Sequence, residues 1–214
     1  MKKYLVIGNP IDHSLSPKLH NYWIKKNKID AIYEKKLLVK GDLEKIISKL
    51  KLGEIDGINV TVPFKNSVIP YIDELSTEAE KTQSVNTIYH KNKKIIGHNT
   101  DIAGFELGLR HFKYNVLGKK VLILGAGGVV PSIIFALKKM KASNIVLSNR
   151  TKSKAENIKK IFPEIEIIDW GKTGEFDMII NATSIGLKSD DEIKINYNEF
   201  GKNKFFYDVI YNPK

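Results

Sequence analysis

The run VLIL (121–124) enters a glycine turn, GAGG (125–128), and passes into VVPSIIFAL (129–137) without meeting a single charge. A strand with no polar alternation belongs in a parallel sheet covered on both faces. Glycine permits the tight turn, and Pro131 is tolerated only in the first turn of a following helix, where its missing N–H has no partner to lose. Strand, turn and helix in that order open a βαβ unit. The competing reading, a membrane helix, fails because three glycines and a proline interrupt the run.

The rest of the chain fits the same class. Short β-rich runs alternate with helical ones, which predicts parallel sheets with crossover helices, hence an α/β fold. Strands are expected at YLVIG (4–8), YEKKLLV (33–39) and GINVTV (57–62), and a hairpin across NTIYHKNKKIIGHN (86–99). SPKLHNYWIKK (16–26) reads as a helix capped by Ser16, with Leu19, Tyr22 and Trp23 as its apolar stripe, and GDLEKIISKLK (41–51) as another. A helix that Thr100 or Asp101 could cap follows, and YNVLGKK (114–120) turns polar. From Lys119 the order is strand, glycine turn, helix, strand (NIVLSN), helix (TKSKAENIKKIF), strand (IEIID), then strands at DMIIN and FFYDVIY. That is the order of a dinucleotide-binding half-fold. The predicted division is 1–100, a connecting helix and linker at 101–118, and 119–214.

Composition closes off several functions. The 214 residues include no cysteine, so neither disulfides nor thiolate metal sites arise, and the five histidines form no metal-ligand motif. The basic start, MKKYLVIGNP, has too short an apolar run for a signal peptide. The net charge of +11 suggests nucleic acid, but all but two of the 35 basic residues are lysines spread along the chain. A solvated lysine surface explains them better than base or phosphate readout, which favours arginine. No nucleic-acid or membrane partner is expected, and a cytoplasmic location is.

Chemistry-bearing residues cluster at a few places. In the turn, Gly125, Ala126, Gly127 and Gly128 let a backbone approach a pyrophosphate, with Val129 as a further backbone contact at the helix start. The match to G-x-G-x-x-[GA] is imperfect, since Val130 stands where a small residue usually allows close helix packing. The next strand ends in Asn149, Arg150 and Thr151, with Lys154 close behind and no acid for a ribose diol. That pattern favours NADP over NAD. HSLSP (13–17) sets Ser14 and Ser16 around a helix start, either as a plain cap or as a socket for a small carboxylate. In NVTVPFK (59–65), Asn59 and Thr61 make one face of a strand polar, and Lys65 follows a proline stop.

The segments GNPIDHSLSPKLHN, GINVTVPFK, SVNTIY, GHNTDIAGF, LILGAGG, LSNRT, IINATSIG and YDVIYNP, in that order, resemble the shikimate dehydrogenase family over practically the whole chain. The resemblance implies an N-terminal substrate-binding α/β domain and a C-terminal NADP-binding Rossmann domain. It implies reversible reduction of 3-dehydroshikimate to shikimate, a step in aromatic amino-acid biosynthesis. Ser14 and Ser16 would hold the substrate carboxylate, Asn59, Thr61, Asn86 and Asp101 the ring hydroxyls, and Lys65 would sit at the hydroxyl being oxidised. Ala182, Thr183 and Ile210 join the cofactor set on the same ground. Lys65, oriented by Asp101, is expected to act as acid and base, with an electrostatic clamp as its other possible role.

Family members run on past YNP, so this chain is expected to stop before their C-terminal helices. Its first domain would then expose apolar surface, for disorder or for a partner copy in a homodimer. Two rival readings stand beside the leading one. The first is a quinate/shikimate dehydrogenase accepting NAD, which the Asn149–Thr151 run disfavours. The second is a catalytically silent nucleotide-binding protein, which would have no use for Ser14, Ser16, Lys65 and Asp101.

Overall fold

The computed structural model describes residues 1–187 and 191–211. The chain divides into two compact units, Met1–Thr100 and Asp101–Lys214.

In the first unit the elements are β1 (Lys2–Gly8), α1 (Ser16–Lys26), β2 (Ala31–Leu37), α2 (Leu43–Lys51), β3 (Gly57–Val60), β4 (Glu74–Leu75), α3 (Thr77–Thr82), β5 (Thr87–Lys91) and β6 (Lys94–His98). The sheet order is β2-β1-β3-β5-β6-β4. β1 runs parallel to β2 and β3, the hairpin β5–β6 joins antiparallel to β3, and β4 pairs parallel to β6.

The two faces of this sheet differ. Leu43, Ile46, Ile47 and Leu50 recur at helical spacing on α2 and pack with Leu5, Ile7, Ile58, Val60 and Ile88 as the main core of the unit. Strand residues alternate between faces, so Val6 and Tyr33 fall on the other side, where they pack with Ile11, Tyr4 and Ile24 of α1. Asn59 lies between Ile58 and Val60 and shares that second, thinner face.

Helix α1 departs from the sequence reading. No residue of it is buried, and Leu19, Tyr22 and Trp23 are 48, 60 and 47% exposed. What meets the sheet is His20, stacked on Tyr33 at 4.2 Å, together with Ile24 and Asn21. The Asn21 amide donates to Tyr33 O (2.8 Å) and accepts from Tyr33 N–H (3.0 Å), so polar bonds do the anchoring expected of the apolar stripe. Ser16 is likewise not the cap. The cap residue is Leu15, without a side-chain bond, and Ser16 N–H instead reaches Ser14 Oγ at 3.4 Å.

The second unit holds α4 (Asp101–His111), β7 (Lys120–Leu124), α5 (Val130–Lys139), β8 (Asn144–Ser148), α6 (Lys152–Ile161), β9 (Glu166–Ile168), β10 (Met178–Asn181) and β11 (Phe205–Asp208). All five strands are parallel, in the order β11-β10-β7-β8-β9. β7 and β10 bury every residue but Lys120, as strands covered on both sides must. One core lies under α4 and α5, and a second, with Leu122, Leu124, Phe176 and Phe200, on the opposite face. Val130, the bulky residue at the start of α5, is fully buried in the first of these. Chain order reverses between β7 and β10, the topological switch point at which open α/β sheets leave a crevice beyond their carboxyl ends. Among the described residues, no helix is long and apolar enough to cross a membrane.

Candidate active site

In the first unit the polar residues gather where β1 and β3 end. Thr61 N–H donates to Ile7 O (2.9 Å) and Asn9 N–H to Val62 O (2.9 Å), which brings the loop after β1 against the loop after β3. Gly8 lets them meet, since a Cβ there would lie 2.5 Å from Thr61 Cγ2. The Val62–Pro63 peptide bond is cis, and Phe64 N–H donates to Thr61 O (2.9 Å). Phe64 and Val68 are buried on either side of Lys65. The Lys65 carbonyl accepts from Val85 N–H (2.8 Å), and the neighbouring Asn86 carbonyl accepts from Val60 N–H (2.8 Å). Main-chain bonds therefore hold Thr61, Lys65 and Asn86 beside the end of β3, with Lys65 half-buried.

Side chains add a second layer. Asn59 Oδ1 accepts from the Tyr33 hydroxyl (2.7 Å), and Asn59 Nδ2 faces Thr87 Oγ1 (3.1 Å) and Asn86 O (3.3 Å). Thr87 donates onward to Asn86 Oδ1 (3.0 Å), which also accepts Thr100 N–H (2.9 Å). Asn86 is 9% exposed, and a buried amide is tolerated only when it is satisfied in this way. Burial pushes the Tyr33 phenol well above its ordinary range, against a hydrogen bond from Ser16 that lowers it. Burial also lowers the His20 imidazole stacked on it. At neutral pH both rings are therefore uncharged, and Tyr33 is a hydrogen-bond donor throughout.

Tyr33 is the member of this cluster that the sequence did not reveal. The only available signal was an aromatic in a strand, AIYEKKL, whose other end is charged and exposed. Ser14, half-buried, lies at the entry to α1, and Asp101, also half-buried, opens α4 in the second unit.

In the second unit the expected cofactor residues come from four strand ends. Gly125 adopts φ +106°, and a Cβ there would sit 2.6 Å from Ala182 O and 2.8 Å from Thr183 N, so the turn after β7 lies directly on the loop after β10. Gly127 and Gly128 are exposed, and α5 starts at Val130 after Val129 with no side-chain cap. Gly125 N–H donates to Ser148 O (2.8 Å), which brings the end of β8 alongside. There Asn149 Nδ2 braces Thr151 O (2.7 Å), leaving Arg150 exposed, with Lys154 exposed one helical turn on. The loop after β10 is tied by Asn181, whose amide donates to Asp208 and Ile185 O (3.1 Å) while its oxygen accepts from Thr183 (2.7 Å). Ile210 N–H bonds Asp208 Oδ1 (2.8 Å). This cradle suits a dinucleotide phosphate. Its turn admits no side chain at Gly125, the two glycines that follow are solvent-exposed, and the β8 end carries a guanidinium where a ribose-binding acid would otherwise stand.

Comparison with known proteins agrees with this geometry. Residues 6–88 match the model of the shikimate dehydrogenase substrate binding domain, and residues 106–196 that of shikimate / quinate 5-dehydrogenase. The chain is 65% identical over 212 residues to the shikimate dehydrogenase (NADP(+)) of Pelagibacter ubique, covering 99% of this chain and 80% of that protein. Among solved structures, shikimate dehydrogenase from Aquifex aeolicus superposes with a TM-score of 0.89 at 36% identity, over 99% of this chain and 79% of that one. The Thermus thermophilus shikimate 5-dehydrogenase, solved with NADP(H) and shikimate, gives 0.88 at 27% identity, over 100% and 80%. On both its halves, and over nearly all of its length, the chain belongs to the shikimate dehydrogenase family.

Proposed function

We propose that the protein catalyses the reversible, NADP-dependent reduction of 3-dehydroshikimate to shikimate, with the substrate held on the first unit and the cofactor on the second. The observation that carries this is 65% identity to a shikimate dehydrogenase (NADP(+)) over 99% of the chain, which takes in the polar set after β3 and the glycine cradle alike.

In this reading Ser14 and Ser16 frame the carboxylate at the start of α1, and Asn59, Thr61, Asn86 and Asp101 meet the ring hydroxyls. Gly125 to Val129 take the pyrophosphate, Asn149, Arg150, Thr151 and Lys154 the 2′-phosphate end, and Ala182, Thr183 and Ile210 the rest of the cofactor. Bound NADPH would supply the hydride to the substrate carbonyl carbon. Lys65 gives a proton to the carbonyl oxygen in that direction and takes it back in the other, with Asp101 orienting the ammonium and the hydroxyl. A homodimer belongs to the same proposal, supported by the exposed Leu19, Tyr22 and Trp23 of α1. So does a cytoplasmic location, which suits a chain without cysteine.

The test is initial-rate reduction of NADP or NAD with shikimate, quinate or no alcohol. Turnover with shikimate and NADP well above every other pairing is the expected result. Equal use of quinate and NAD would select the broader quinate/shikimate activity, and cofactor binding without turnover would sink the enzymatic reading. Arg150→Ala is expected to raise KM for NADP about tenfold and leave KM for NAD within about twofold, because it removes a charge-assisted bond that only the 2′-phosphate can use.

A further inference from the structure

We propose that Tyr33 is a positioning residue for the substrate site, locking the Asn59 amide in place before a ligand arrives. This inference rests on the proposed function and names a residue that reading does not use.

An asparagine amide presents an acceptor on one side and a donor on the other, and turning it over exchanges the two at little steric difference. Which way Asn59 faces therefore depends on its neighbours. The Tyr33 hydroxyl has one proton. That proton goes to Asn59 Oδ1 at 2.7 Å. On the other side the Asn86 main-chain carbonyl can only accept, so it takes Nδ2, which also faces Thr87 Oγ1, and the phenol locks the amide in the orientation that this carbonyl requires. Thr87, now an acceptor, passes its own proton to Asn86 Oδ1, and Asn86 Nδ2 is left to face Thr100 Oγ1 at 2.8 Å. The phenol thus closes one end of a chain, Tyr33–Asn59–Thr87–Asn86, whose other end is held by the Thr100 N–H on Asn86 Oδ1 at 2.9 Å.

The reach of the side chain explains why tyrosine does this. β1 lies between β2 and β3, with Tyr33 opposite Tyr4 and Asn59 opposite Val6, so the two residues are two strand spacings, about 10 Å, apart across the sheet and staggered along it. The phenol packs in one cluster with Val6 of β1, and its hydroxyl reaches Asn59 on β3. Its place is fixed three ways: by both Asn21 bonds to its main chain, by the His20 ring at 4.2 Å and 4° from parallel, and by its hydroxyl bond to Asn59. A ring held this firmly does more than fill space, because its one polar atom is aimed at a residue assigned to the substrate.

Tyr33→Phe keeps the ring and its stack on His20 and removes only the hydroxyl. Its KM for shikimate is expected to rise about tenfold, with KM for NADP within about twofold. Thr87→Val cuts the same chain one link further on and is expected to shift KM for shikimate in the same direction. The decisive measurement is the cycle with Asn59→Ala. If Tyr33 acts through Asn59, Tyr33→Phe adds nothing once Asn59 is gone. A KM for shikimate unchanged in Tyr33→Phe, or losses that simply multiply in the double variant, would mean that the phenol only supports the fold. Lack of wild-type turnover with shikimate and NADP would instead remove the functional reading and this inference together, so the two failures are told apart.

Discussion

Lys65→Ala is expected to lower kcat by about 10²–10⁴ while KM for shikimate changes only a few-fold, the range by which a positioned acid or base accelerates proton transfer. The main chain around Lys65 has anchors independent of its ammonium: the bond from Val85 N–H at 2.8 Å, and the buried Phe64 and Val68 on either side. Removing the amine therefore leaves the main chain at Thr61 and Asn86 in place, and with it the proposed contacts to the ring. Stopped-time rates at saturating NADP separate the two parameters. A large rise in KM with kcat preserved would show that the ammonium holds the substrate and leaves the proton to another group.

Gly125→Ala is the second large effect, and it acts on fold and cofactor together. The residue sits at φ +106°, a region that side-chain-bearing residues rarely adopt, and the added Cβ would lie 2.6 Å from Ala182 O and 2.7 Å from its carbonyl carbon. Those are backbone atoms at the end of a buried strand and cannot swing aside. A stability loss of about 2–4 kcal/mol is expected, from strain of about 1–3 kcal/mol and overpacking of similar size. KM for NADP should rise more than tenfold, since relief of the clash must separate the turn from the loop after β10. Chemical denaturation and cofactor titration read the two effects, and unchanged values in both would refute the cradle as described.

Much of this architecture could be read from local patterns. VLILGAGG dictated a buried strand and glycine turn, and the spacing of Leu43, Ile46, Ile47 and Leu50 dictated the inward face of α2, because burial and backbone conformation act on neighbours in sequence. What stayed hidden depends on distant partners. β4 is two residues long and α3 is TEAEKT, with only Ala79 and Thr82 buried, so neither shows a period. The stripe Leu19, Tyr22, Trp23 has the right period for an inward face, but Asn21 and His20 fix the rotation of α1 through Tyr33, and no rule of spacing anticipates that. In the site, the residue types of Asn59, Thr61 and Lys65 stood out because polar groups interrupt a strand. Tyr33 did not, because its meaning lies in a hydroxyl that reaches across β1.

The bonds Val85 N–H to Lys65 O and Val60 N–H to Asn86 O are made by atoms that every residue type but proline possesses. The main chain at Lys65 therefore keeps its anchor when side chains at 59, 61 and 86 change. A scaffold stitched this way can exchange one polyol acid for another by a few point replacements, and its descendants would differ in diet sooner than in chemistry.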